Sequence, residues 1–247
     1  MKLSKSLFKV WAVFKRELTD YFSSPVAYVF IIIFLMLSGF FTFYVSHLFE
    51  VGQAELTLFF EWHPWIFLLL IPAATMRLWS EEKKIGTIEL IMTFPITLTE
   101  IILGKFFAAW IFIGIALIMT FPMILTVCYL GDPDTGAIFC SYIGSFLMAG
   151  AFISIGLMTS SLTKSQVISF ILSVVLSLFF VLAGYSPVCE VFTGWTPVWF
   201  IDIITNLSFL THFASIKRGV IDFRDLVYFF SIICFMLFCN GTILHNK

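Results

Sequence analysis

Apolar and polar positions alternate along this chain in long blocks, and the blocks set its architecture. Residues 6–22 carry Leu7, Val10, Trp11, Phe14, Leu18, Tyr21 and Phe22 on one side of a helix and Lys9, Arg16 and Asp20 on the other. Such a segment is too charged to span a bilayer and suits a helix lying in the membrane interface, its basic side toward lipid headgroups. A soluble helix packed on a partner is the alternative. Ser23-Ser24-Pro25 ends it, and Pro25 suits the first position of the next helix.

Apolar runs long enough to cross a membrane then follow at about 26–46, 58–79, 101–130, 137–160, 166–184 and 225–244. The second is the least regular, with Glu61 and His63 at its outer boundary and a bend expected at Pro72. The third is long enough to bend at Pro122, and Gly131-Asp132-Pro133-Asp134 is a tight turn into the fourth. Small residues form stripes on the fourth (Ser141, Ser145, Ala149, Gly156) and the fifth (Ser169, Ser173, Ser177), which predicts faces for close helix packing or for a dimer. Residues 185–224 are too polar and broken to span. They predict one short helix after Thr196-Pro197 and another at 208–218 that stops at Gly219, with Asp222-x-x-Asp225 capping the last span.

One polar island interrupts this pattern, RLWSEEKKIGTIELIMTFPITLTEIILGK at 77–105. Ser80 can cap a short helix with Glu81 and Glu82 in its first turn. Ile85, Ile88 and Met92 give that helix, about 80–94, an apolar face. Phe94-Pro95 breaks it, and Thr97-x-x-Glu100 is a capping box that opens the next span. A solvated loop is the plain alternative, but a helix, a break and a recapped span together favour a surface for a partner.

Composition agrees with the pattern. A mean hydropathy of +1.04 with 60% hydrophobic and 12% charged residues excludes a soluble domain and makes this an all-α integral membrane protein. Of the 14 basic residues, eleven fall on the side of the termini and the 77–105 island, and three (Lys217, Arg218, Arg224) on the other. The excess puts the termini and the island in the cytoplasm. The N-terminal stretch does not read as a cleavable signal peptide. The five cysteines form no C-x-x-C pair, the four histidines are scattered, and phosphate-loop, G-x-S-x-G and H-E-x-x-H motifs are absent. Apart from segment ends such as Lys105, the spans carry essentially no ionisable residue, which weakens an ion-coupled pump.

E-E-K-K-x-G-T-I-E-L at 81–90, Pro95 and T-x-T-E-I-I-L-G-K at 97–105 resemble the type-2 ABC exporter permeases. K-R-E-L-x-x-Y-F-x-S-P-x-A-Y at 15–28 and L-T-H-F-x-S-I-K-R-G-V-I-D-F-R-D-L at 210–226 resemble its gliding-motility and copper-maturation branch. The resemblance covers essentially residues 1–247 as one transmembrane domain of the bacterial inner membrane. It implies six spans, an interface helix marked by Trp11, Phe14, Arg16 and Leu18, and short re-entrant helices before the last span. It also implies a cytoplasmic coupling helix formed by Glu81, Glu82, Lys83, Lys84, Ile85, Gly86, Thr87, Ile88 and Glu89. No enzymatic chemistry and no cofactor is expected in this chain. A separate ABC ATP-binding subunit would hold ATP and Mg, and a second permease copy or paralogue would complete the path; no nucleic-acid partner is implied. A membrane anchor or scaffold that docks a cytosolic protein without transport is the rival reading.

Overall fold

The computed structural model describes residues 2–48, 55–89, 95–185, 187–188, 190 and 198–245. Met92, Phe94, Thr196 and Pro197, which figure in the sequence reading, lie outside them. The described residues are helical throughout, with no strand. In chain order the helices are α1 (Lys2–Ser23), α2 (Pro25–Phe40, extended by a π-helical turn Phe41–Val45), α3 (Thr57–Glu61), α4 (His63–Thr75), α5 (Arg77–Ile85) and α6 (Leu98–Ile118). They continue as α7 (Phe121–Leu130), α8 (Thr135–Leu162), α9 (Gln166–Leu182), α10 (Val198–Asn206), α11 (Phe209–Lys217) and α12 (Phe223–His245).

Among the described residues, four stretches are long and apolar enough to cross a membrane: 25–45, 98–130, 135–162 and 223–245; α9 is apolar but shorter. The core is built around α8. It is 72% buried over its most apolar stretch, against 28–33% in the other three, and it packs on α4, α5, α6, α9, α11 and α12. Small residues allow this crowding. A Cβ on Gly156 would lie 2.0 Å from the Thr75 hydroxyl, so only glycine fits where α8 crosses α4.

Local hydrogen bonding sets several helix ends. Ser24 caps α2 by accepting from the Val26 N–H at 3.2 Å, with Pro25 first in the helix. Thr97 and Glu100 form the reciprocal box at the start of α6, Glu100 Oε2 accepting from the Thr97 N–H at 2.8 Å. Asp134 accepts from the Gly136 and Ala137 N–H groups and starts α8. Gly219 follows α11 at φ +85°.

Other signals are overridden. The 58–79 segment is helical with single-residue interruptions at Trp62 and Met76, and Pro72 lies inside α4. The break at Met76 is held by Ser160 of α8. Its hydroxyl accepts from the Trp79 and Ser80 N–H groups at 3.0 and 3.1 Å and donates to the Met76 carbonyl at 2.8 Å, using its full hydrogen-bonding capacity. Asp225 does not serve as the expected side-chain cap of α12: its carboxylate is taken by His212 at 2.6 Å.

Candidate functional site

The charged island folds back on the helices around it. Ser80 is not an N-cap. The helix begins at Arg77 as a continuation of α4, and Ser80 is buried within it, donating its hydroxyl to the Met76 carbonyl at 2.5 Å. Glu81 and Glu82 therefore lie toward the end of α5, and Lys83 and Lys84 occupy its last turn, where cations suit the negative helix end. Nor is there one helix from 80 to 94. Gly86 adopts φ +83°, a left-handed cap that ends α5 after Ile85, and the chain is helical again at Thr87–Glu89. Ile85 is 67% exposed while Ile88 packs against the core, so the expected continuous apolar face is divided.

At the centre of this region is Lys105. It lies two turns inside α6, 1% exposed, and its ammonium donates to Glu17 Oε1 of α1 at 3.0 Å, Glu82 Oε1 of α5 at 2.8 Å and the Leu78 carbonyl at 2.9 Å. The Trp79 ring lies 5.0 Å away. Three donors meet three acceptors, which is what a buried ammonium needs to offset its desolvation. Arg16 reaches the same carboxylates, Glu17 at 2.7 Å and Glu82 at 3.3 Å. Two cations and two carboxylates thus form a neutral cluster that joins α1, α5 and α6. Lys83 adds a hydrogen bond to the Ser161 carbonyl of α8, and Gln166 of α9 donates to Glu81 at 3.5 Å.

The N-terminal helix packs along α6. Val13, Glu17 and Tyr21 are buried, and Val13 packs so closely on Gly104 that a Cβ there would lie 2.6 Å away. Arg16 is engaged by Glu17 and Glu82, and Lys9 lies 3.9 Å from Glu100. Leu18 packs against the core, whereas Leu7, Phe8 and Trp11 are exposed and Trp11 stacks on Phe14 at 5.0 Å. Tyr21 donates to the Ala74 carbonyl at 3.2 Å under the Arg77 guanidinium; burial pushes its phenol well above the usual range, with Arg77 opposing.

Of the nine island residues singled out from sequence, the fold divides them by side. Glu82, Lys83, Thr87 and Ile88 are part-buried, while Glu81, Lys84, Ile85, Gly86 and Glu89 are exposed. Ser169, Ser173 and Ser177 are all buried within the chain, on a helix that packs on α4 and α8. Their hydroxyls, like Glu82 Oε2, have no hydrogen-bond partner among the described residues.

Two residues of the cluster were not singled out from sequence. Glu17 sits on the stripe that α1 buries, but only tertiary contact distinguishes it from the neighbouring exposed charges. Lys105 was set aside as a segment end; its position past the Thr97 cap, two turns into an apolar helix, is the signal that could have found it.

A family model described as ABC-2 family transporter protein matches residues 11–216. The chain belongs to the ABC-2 transporter family. No curated protein matches it in a sequence comparison. The matched stretch runs from α1 through α11 and contains the Lys105 cluster and α5. Membership makes the chain a membrane component of an ABC transporter, in a family that works with an ABC ATP-binding subunit.

On the opposite end of the molecule, His212 is fully engaged, with Nδ1 2.6 Å from Asp225, Nε2 2.9 Å from the Asn206 carbonyl and its ring stacked on Tyr228 at 3.8 Å. This ties α11 to α12 beside the end of α10. Buried His63 meets Ser145 of α8 at 2.8 Å among Phe34, Phe59, Phe60 and Phe67. Among the described residues no group of three or more His, Cys, Asp and Glu could hold a metal.

Proposed function

We propose that this ABC-2 protein is the permease subunit of an ATP-driven exporter of the bacterial inner membrane, in the gliding-motility and copper-maturation branch. Six spans are made from α2, the α3–α4 pieces, α6–α7, α8, α9 and α12, with both termini cytoplasmic and α10–α11 re-entrant from outside. A separate ATPase subunit binds ATP and Mg and docks on the outer face of α5, and a second permease copy or paralogue completes the path.

The observation that carries this reading is the division of α5. Glu81, Lys84, Ile85 and the nearby Glu89 face outward, while Glu82 and Lys83 fasten the same short helix to α1, α6 and α8. A push on the outer face is therefore borne by three membrane-associated helices at once, which a tethered loop could not do. An exposed Ile on an otherwise charged helix is the anchor expected for an apolar groove in a partner.

The test is co-purification with a co-expressed ABC ATP-binding subunit. Ile85→Asp removes an anchor whose burial is worth about 1.5–3 kcal/mol, so ATPase recovery should fall roughly 10-fold or more while folding is unchanged. Normal recovery and normal ATPase stimulation in this variant would overturn the docking role of α5. Recovery of an ATPase that the permease never stimulates would favour a scaffold instead.

A further inference from the structure

Beside the Lys105 cluster lies an open polar cavity of about 400 Å³, lined by Arg16, Arg77 and Lys105 and by Glu17, Asp20, Glu81 and Glu82, among others. The charges are unequally used. Arg16 and Lys105 pair with Glu17 and Glu82, which leaves Arg77 on one wall and Asp20 and Glu81 on others. Among the described residues Arg77 has no carboxylate within ion-pair distance; its guanidinium lies 5.2 Å over the Tyr21 ring. Three charged groups thus line one space without closing on each other.

A second feature starts where this one ends. An apolar groove of about 150 Å³ runs between α2 and α4, lined by Val26, Val29, Phe30, Ile33, Leu70 and Ala73. Tyr21 and Arg77 line both spaces, which sets the groove and the polar cavity side by side. Val26, Val29 and Ile33 are 53%, 52% and 40% exposed on a helix apolar enough to span, so this wall faces lipid. From Val26 to Ile33 the groove extends about 10 Å along α2.

We propose that the cavity and groove form one binding site for a phospholipid with a phosphoethanolamine headgroup. The Arg77 guanidinium receives the phosphate, Asp20 and Glu81 receive the ammonium, and one acyl chain lies between α2 and α4. Charge complementarity selects this occupant. A guanidinium fork matches phosphate oxygens, and its apolar neighbours lower the dielectric around that contact. A headgroup bearing only negative charge would leave its phosphate on Arg77 but face two unanswered carboxylates. A neutral diacylglycerol would leave Arg77 without its anion. The site is complete in one chain and needs neither an ATPase nor a particular topology; only its assignment to the cytoplasmic leaflet rests on the proposed function.

The experiment uses the full-length protein purified in mild detergent and stripped of lipid. It is offered phosphatidylethanolamine, phosphatidylglycerol or diacylglycerol of identical acyl composition, and retained lipid is counted by native mass spectrometry. Phosphatidylethanolamine should be retained about 10-fold more than either of the others. Arg77→Gln should lower its retention about 10-fold. Val29→Trp, at a lipid-exposed position that folding does not depend on, should fill the groove and lower retention with Arg77 in place. Equal or better retention of phosphatidylglycerol would overturn the zwitterionic assignment. Equal retention of diacylglycerol, or no effect of either substitution, would overturn the site. Because binding is read in detergent without an ATPase, a negative result here leaves the docking role of α5 standing, and the reverse also holds.

Discussion

Lys105→Met isolates the buried cluster, because it keeps the length and most of the volume of the side chain and removes only the charge. In the native protein the ammonium holds Glu17 and Glu82 at 3.0 and 2.8 Å, with those two side chains 9% and 14% exposed. Removing one member of a buried ion pair costs about 3–5 kcal/mol, since the partner charge stays desolvated. Arg16 still reaches both carboxylates, but its side chain is 53% exposed and its pairing is screened, so it offsets only part of that loss. The expected cost is about 3 kcal/mol. In a chain of this size 1 kcal/mol corresponds to roughly 2–4 °C, so the midpoint of thermal unfolding in detergent should fall by about 6–12 °C. Neutralising the orphaned partners as well, in the triple variant Glu17→Gln, Lys105→Met, Glu82→Gln, should recover most of the loss, because no uncompensated charge remains buried. A single variant that melts within 2 °C of wild type would refute the argument, as would a triple variant less stable than the single. The first outcome would mean the cluster is effectively solvated, the second that Glu17 and Glu82 are held by partners other than Lys105.

Two further expectations follow from the fold. Ser173→Leu adds two heavy atoms to a face already buried against α4 and α8, so it should destabilise the folded monomer by about 1–3 kcal/mol and leave any self-association to other surfaces; a crosslinked dimer that weakens while monomer melting is unchanged would show that the stripe faces a second copy. In a cysteine-free background, cysteine at 164 should be shielded from an impermeant outside reagent in intact cells and cysteine at 132 labelled, and the opposite pattern would invert the topology.

The residues of this chain that act locally were legible without the fold. Thr97 and Glu100, Pro25 and Gly219 each act on backbone groups within a few positions of themselves, and each does in the structure what its spacing predicts. The apolar blocks likewise required membrane helices, because nothing else satisfies the backbone in lipid. Ser80 and Asp225 had the same local credentials and lost to distant partners. The backbone donors of Trp79 and Ser80 are met by Ser160, and the carboxylate of Asp225 by His212. In a low-dielectric interior a buried polar group takes whichever partner satisfies it best, near or far in sequence.

The candidate site depended most on tertiary structure. Sequence placed a charged island against the membrane surface and suggested a partner for it. It could not separate Glu82, which turns inward to Lys105, from Glu81 beside it, which remains exposed, because that choice is made by the rotation of α5 against α1 and α6. Glu17, Glu82 and Lys105 are separated by 65 and 23 positions, and no periodicity relates them. Their union follows from desolvation: once the apolar faces of three helices are packed together, a lysine caught among them must find carboxylates or be destabilised by several kcal/mol. Sequence alone determined the helices and their caps, which short-range backbone chemistry dictates. Only the packed fold decided which charges became its buried fastening and which were left facing outward.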